Sequence, residues 1–264
     1  MKTTWTLLVF LLSITIVYGQ GKKESNRIVK VLTFNILHGA TTQGDFNLDV
    51  IAQVIKDVDP DVVAMQEVDF KTQRAKNYDL PTELAIRTGL APLFGKAMSY
   101  DGGEYGEAIL SRYSFIKTEN HPLPCSPGNE PRAALAVFFA LPSGDSICFI
   151  GTHLDHTNVE HDRILQAKKI NQLFSESKYP CIMAGDLNAT PESETIQILE
   201  ELWTPSYDPQ NLQFTYPSDC PEHKIDYIMF YPEHKWRIIE TEVICDTIAS
   251  DHCAYLVSLQ LIHE

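Results

Sequence analysis

Two apolar runs on either side of an amphipathic segment constrain this chain more than any other feature. Ile28 to Leu37 (IVKVLTFNIL) and Asp61 to Val68 (DVVAMQEV) are apolar almost without interruption, as strands buried on both faces must be. Between them Leu48, Ile51, Ala52 and Ile55 recur at helical spacing, and Asp59-Pro60 stops the helix at Val58. A strand, a helix and a second strand in that order point to a layered α/β arrangement.

Both runs end on a polar residue. Asn35 reads either as a turn asparagine capping its own loop or as an amide facing a ligand, and Glu67 either as a solvated strand-end charge or as a metal ligand. The pattern repeats downstream. Cys181-Ile182-Met183 runs into Gly185-Asp186-Leu187-Asn188, and Thr190-Pro191 offers a capping hydroxyl and a helix-starting proline for a helix over Glu192 to Leu202. An acid and an amide at a strand exit can together orient a water or hold a cation, although both residue types also favour turns.

Further strands end in the same way. Ala133–Leu141 and Ser146–Thr152 form a hairpin around Pro142-Ser143-Gly144-Asp145, and the second strand leads into His153, Asp155 and His156, with alternation placing His153 and Asp155 on one side. Lys224 to Phe230 carries Asp226, an acid in an apolar run that needs a partner. Ser250-Asp251-His252 precedes a last strand, Cys253 to Leu261, and Trp236–Cys245 forms another. Pro81–Thr88, closed by Gly89, and Val159–Phe174 read as helices, the second of them covering the core. Asp101 to Gly106 reads as a flexible glycine loop entering the strand Glu107–Ser111, with Tyr105 and the surface charge Arg112 on either side. Trp203 to Glu222, with Tyr207, Phe214 and Tyr216, is long enough to suggest a functional loop. In layered α/β folds, ligands bind where strand ends converge. Hard oxygen donors with two histidines, and no close cysteine pairs, suit Mg²⁺, Mn²⁺ or Ca²⁺ better than structural zinc.

The totals set the frame. At 264 residues and 44% hydrophobic content, one domain over residues 28–264 is expected. Lys2 followed by the apolar stretch Trp5 to Val17 reads as a signal peptide over residues 1–19, then a linker over 20–27, so the protein is expected to be secreted or periplasmic, without a stable membrane anchor. The formal charge of −14 becomes −15 once Lys2 is removed, which disfavours nucleic acid as a partner, and no basic run offsets it. Of the six cysteines, Cys148 and Cys181 sit in apolar runs as small hydrophobes, and Cys125 and Cys220 are the candidates for a bridge.

Taken in order, TFNILHG (33–39), QEVD (66–69), GEAILSR (106–112), GTHLDH (151–156), GDLNATP (185–191), KIDYI (224–228) and SDH (250–252) resemble the endonuclease/exonuclease/phosphatase (DNase I-like) superfamily over about Ile28 to Leu261. The resemblance implies a four-layered α/β (α+β) sandwich, two mixed β-sheets packed face to face with helices outside, and metal-dependent hydrolysis of a phosphoester. It implies that Glu67, assisted by Asn35, holds the metal, with Mg²⁺ foremost. Asp186 would orient or deprotonate the attacking water, and Asn188 would hold the phosphate or a second metal. His252 would contact the scissile phosphate, oriented by Asp226, and Asp251 would serve the metal or that histidine. His153 and Tyr105 would donate to the developing charge. Glu107 departs from the asparagine common at its position, and an extra acid there would disfavour a polyanion unless it faces away or binds metal. The run His153-Leu154-Asp155-His156 is similar to secreted bacterial members of the family. The expectation is an exported phosphoesterase acting, as a monomer, on a phosphodiester ahead of a phosphomonoester of a small or lipid-derived substrate; a secreted DNase I-like nuclease and a non-catalytic binding module are the alternatives.

Overall fold

The computed structural model describes residues 27–262, so the segment expected to be a signal peptide and all but the last residue of the expected linker lie outside the described residues. The chain begins with β1 (Ile28–Asn35), α1 (Leu48–Val58), β2 (Val62–Phe70) and α2 (Leu80–Thr88). It continues through β3 (Ala91–Tyr100), β4 (Gly103–Ser111), β5 (Lys117–Pro122), β6 (Ala133–Ala140) and β7 (Ser146–His153). Then come α3 (His161–Phe174), β8 (Cys181–Asp186), α4 (Glu194–Glu200), β9 (Thr204–Pro205), β10 (Asp226–Tyr231), β11 (Trp236–Ile244) and β12 (Ala254–Leu261).

The strands form two six-stranded sheets, in the orders β11-β12-β1-β2-β4-β3 and β5-β6-β7-β8-β10-β9. Each is mixed, with one parallel pair, β1/β2 in the first and β7/β8 in the second. Period-two alternation explains the layering. Val29, Val31, Val62 and Ala64 of the first sheet pack against Leu135, Phe149, Ile182 and Ile228 of the second. The opposite faces pack under helices: Leu32, Val63 and Met65 beneath α1 and α2, and Ile150, Cys181 and Met183 beneath α3 and α4. The result is the helix–sheet–sheet–helix sandwich expected from the motifs.

Three strands were not expected, the two-residue β9 and the longer β3 and β5. β3 and β5 are sheet-edge strands with mostly exposed or half-buried residues, so neither carries the apolar signature of a buried strand. Asp101-Gly102, read as part of a flexible loop, is a tight hairpin turn with φ of 44° and 81°, and β4 starts at once behind it. The last helix starts at Glu194 under Ser193, whose side chain accepts from Ile196 N, and not at Thr190-Pro191.

The expected bridge is also corrected. Cys125 and Cys220 are free and exposed, while Cys245 and Cys253 are joined. This bond ties the end of β11 to the start of β12 and closes the segment that carries Asp251 and His252. Closing so short a loop restricts the unfolded chain by about 2 kcal/mol. A Cys245→Ala variant is therefore expected to melt several degrees lower than the parent; equal melting temperatures in non-reducing buffer would contradict it.

Candidate active site

The same alternation that fills the inter-sheet core builds a polar layer at one end of it. Each inward-facing row ends in a chemical group: Asn35 on β1, His153 on β7, Asp186 on β8 and Asp226 on β10. Strand register aligns them, with His153 beside Asp186 across the parallel pair and Asp226 beside Asp186 across the antiparallel pair. Asn35 joins the sheets, its Nδ2 donating to Glu67 Oε1 at 3.1 Å and to Asp186 Oδ2 at 3.2 Å.

Glu67 reaches this row through a distortion. The β2–β4 register shifts between Met65 and Val68, and Glu67 adopts a left-handed φ of 56°. Such a bulge re-aims a side chain at a cost in backbone strain. Burial would raise the Glu67 pKa, but His38, His153 and Asn35 lower it to about 2, so the group is ionised. His38 Nδ1 lies 3.5 Å away, a contact that its loop position gave no means of foreseeing.

The two histidines are driven apart. Burial would discharge His252, but Asp226 and Asp186 raise its pKa to about 10; its Nδ1 sits 3.0 Å from Asp226 Oδ2 and its Nε2 3.7 Å from Asp186 Oδ2. Burial and then Arg132 push His153 well below the usual histidine range, leaving it neutral. For Asp186, burial and the neighbouring Asp226 outweigh the pull of His252 and raise the pKa to about 7. Pairs of groups separated in this way mark acid–base roles.

Asn188 sits at φ 48°, its backbone N–H donating to Asp186 Oδ1 at 2.9 Å. Its Nδ2 donates to Leu154 O at 3.1 Å and lies 2.9 Å from His153 Nε2. Asp251 is placed by Ser250, whose hydroxyl donates to Asn35 O at 2.7 Å and accepts from His252 N at 3.1 Å. Burial raises the Asp251 pKa, with Glu67 adding to it.

Glu67, His153, Asp186, Asn188, Asp251 and His252 line a cleft of about 390 Å³ together with Tyr105, and Asn35 and Asp226 contact these groups without lining it. Sequence reasoning missed part of this wall. Arg74, Tyr100, Glu130, Arg132 and Tyr216 also line it. None stands at an apolar strand's end, where the search was made; Tyr216 alone carried a signal, as an aromatic in the long loop. Asp155 is corrected: β7 ends at His153, alternation stops there, and the buried Asp155 carboxylate accepts from Thr157 N at 3.0 Å, outside the cleft. Glu107 faces inward beneath the cleft, wholly buried, and burial raises its pKa well above the carboxylate range, so it adds no negative charge to the wall.

Two donor sets could hold a cation. Asp186, Asp226 and His252 offer atoms within 4.8 Å of one another. There, however, the protonated His252 already compensates both acids. The ionised Glu67 and Asp251, with the Asn35 amide alongside, form an oxygen-rich set open to the cleft, and that chemistry fits a hard divalent cation.

Comparison with known proteins agrees with this construction. The endonuclease/exonuclease/phosphatase family of Beutenbergia cavernae is represented by a structure that superposes with a TM-score of 0.73 at 22% identity, covering 89% of this chain and 72% of that one. A family protein from Bacteroides thetaiotaomicron gives 0.74 at 20% identity, over 89% and 98% of the two chains. A mannosyl-6-phosphatase from the same organism gives 0.71 at 20% identity, over 88% and 99%. At such identities these likenesses establish the fold. The model of the Endonuclease/Exonuclease/phosphatase family matches residues 32–252, a span that contains every residue of the cleft described above. The chain belongs to the endonuclease/exonuclease/phosphatase family.

Proposed function

We propose that the protein is an exported, Mg²⁺-dependent phosphoesterase that hydrolyses a small or lipid-derived ester with an activated water. The observation that carries this reading is the continuous chain Glu67–Asn35–Asp186–His252–Asp226, in which a base near neutrality stands beside a fixed imidazolium. Family membership supports phosphoester hydrolysis, and structural neighbours include the mannosyl-6-phosphatase, the human Nocturnin catalytic domain and a Caenorhabditis elegans TDP2.

Glu67 and Asp251, with Asn35, would hold Mg²⁺, or Mn²⁺ or Ca²⁺ in its place, and a bound cation would supply Lewis-acid polarisation of the phosphoryl oxygens. The remaining steps belong to this chain's own groups. Asp186 takes the proton of the attacking water, its pKa of about 7 matching the task. His252, charged and held by Asp226, stabilises the charge that develops on the phosphoryl group. Asn188, neutral His153 and Tyr105 border the same space. The net charge of −14 and the absence of a basic run favour a compact substrate over a long polyanion.

The purified protein is to be assayed on p-nitrophenyl phosphate, bis-p-nitrophenyl phosphate, sphingomyelin, inositol phosphates and plasmid DNA, with and without EDTA. Hydrolysis of a small ester is expected to fall about a thousandfold on chelation, equivalent to the several kcal/mol that a cation supplies, and to return with Mg²⁺. Activity that survives thorough chelation would remove the cation from the reaction. Rapid plasmid degradation at low protein concentration would favour the nuclease reading, and inactivity on all of them the binding module.

A further inference from the structure

Of the charged groups in the cleft wall that the steps described above leave unused, Arg74, Glu130 and Arg132, the last is the most deeply buried. Arg132 is only 2% exposed, although its guanidinium lines the cleft. Its described ion pair is with Glu130 Oε2 at 3.1 Å, and Glu130 is itself 43% exposed. One Nη lies 3.4 Å from His153 Nδ1 and the other 3.0 Å from His156 Nδ1, while Nε has no hydrogen-bond partner. A buried guanidinium ordinarily has its donors satisfied and its charge matched. Here the described ion pair is with one exposed carboxylate, and Tyr105 and the buried Glu107 stand close enough to act on the guanidinium, in a chain of net charge −14.

Arg74 strengthens the same wall. Its Nε donates to the buried Asp69 Oδ2 at 2.6 Å and its Nη2 to Oδ1 at 2.9 Å, and its guanidinium packs over the rings of Tyr100 and Tyr105 at 4.6 and 5.6 Å. The cleft thus has two flanks of different character. One carries Glu67, Asp186, Asp251 and His252, and the other carries Arg74, Arg132, Tyr100 and Tyr105 beside the exposed Glu130.

The number of oxygens and charges on the phosphoryl group gives this asymmetry a chemical meaning. A phosphodiester presents two non-bridging oxygens and one negative charge; a monoester presents three and carries close to two charges at neutral pH. A second fixed cation on the cleft wall is idle against the first and complementary to the second. We propose that Arg132 is a specificity-determining residue that receives the third oxygen of a dianionic phosphomonoester, so that the cleft selects small phosphomonoesters over diesters. This rests on the phosphoesterase reading and narrows its substrate class.

The test compares kcat/KM on p-nitrophenyl phosphate and bis-p-nitrophenyl phosphate, with Mg²⁺, for the parent, Arg132→Met and Arg132→Lys. The monoester-to-diester ratio is expected to fall about a hundredfold in Arg132→Met, the size seen when a buried charge-assisted contact is truncated, and to recover in part in Arg132→Lys. An equal loss on both substrates, or a parent that prefers the diester, would overturn the assignment while leaving phosphoester hydrolysis standing. Inactivity on both would instead overturn the phosphoesterase reading itself. A second measurement needs no variant. Methyl phosphate is expected to inhibit the parent about tenfold more tightly than dimethyl phosphate, as one extra charge-assisted hydrogen bond predicts, and equal or reversed inhibition would refute the proposal.

Discussion

Asparagine at position 186 is expected to lower kcat about a thousandfold on any ester that the parent hydrolyses, within the range general-base catalysis contributes. The substitution is close to isosteric and keeps one oxygen, able to accept from Asn188 N as Oδ1 does, while its amide nitrogen takes the place of the Oδ2 that accepts from Asn35 Nδ2. What it removes is the ability to take a proton. The effect on stability separates this role from a structural one. Burial and Asp226 raise the folded-state pKa of Asp186 to about 7, from an ordinary value of 3.8. A raised carboxyl pKa means that the folded state resists ionisation, so stability contributed by the protonated form is lost as pH climbs from about 4 through 7. At pH 8 the parent bears that loss in full and Asp186→Asn does not. The variant should therefore melt no lower than the parent at pH 8 while being nearly inactive. Full activity in the variant would end the proposed role, and a strong drop in melting temperature would recast Asp186 as structural.

Much of this site was legible in the sequence because of one regularity. A strand that is buried on both faces cannot hide a polar side chain cheaply, so Asn35, Asp186 and Asp226 stood out against their apolar runs. Register then brought them together, as paired residues on neighbouring strands or across the sheets, with the Asn35 amide 3.2 Å from Asp186. Arg132 was invisible to the same reasoning. It lies just before β6 in a proline-containing stretch, where a basic residue ordinarily faces solvent, and only the packing of β6 against β7 and β4 turns it inward. Arg74 depended likewise on Asp69, a buried acid whose partner is five residues away in an irregular segment. The edge strands β3 and β5 escaped because an edge has one exposed flank and tolerates polar residues on both faces. The bridge was misassigned for a related reason: Cys245 and Cys253 are close only because β11 and β12 pair, whereas Cys125 and Cys220 looked alike from their loops.

Replacement of His252 by glutamine is expected to reduce kcat by a few hundredfold, the cost of losing a donor aimed at developing charge. The environment of this histidine makes a second, independent demand. Burial alone would favour the neutral ring, but Asp226 on one side and Asp186 on the other raise its pKa to about 10. Parent activity that depends on the imidazolium should therefore hold across neutral and mildly alkaline pH and fall as pH rises through about 10. Asp226→Asn removes the nearer acid, 3.0 Å from Nδ1, and should move that falling limb to lower pH. Stability follows the same linkage with a definite sign. The folded-state pKa lies above the ordinary 6.5, so the charged ring stabilises the fold fully below that value, and the contribution is lost as pH rises from about 6.5 through 10. Thermal melting of the parent and His252→Gln across that window should thus converge toward its alkaline end. A difference that stays constant, or that widens with pH, would show that His252 is held neutral, and would leave Arg132 as the principal fixed cation of the cleft.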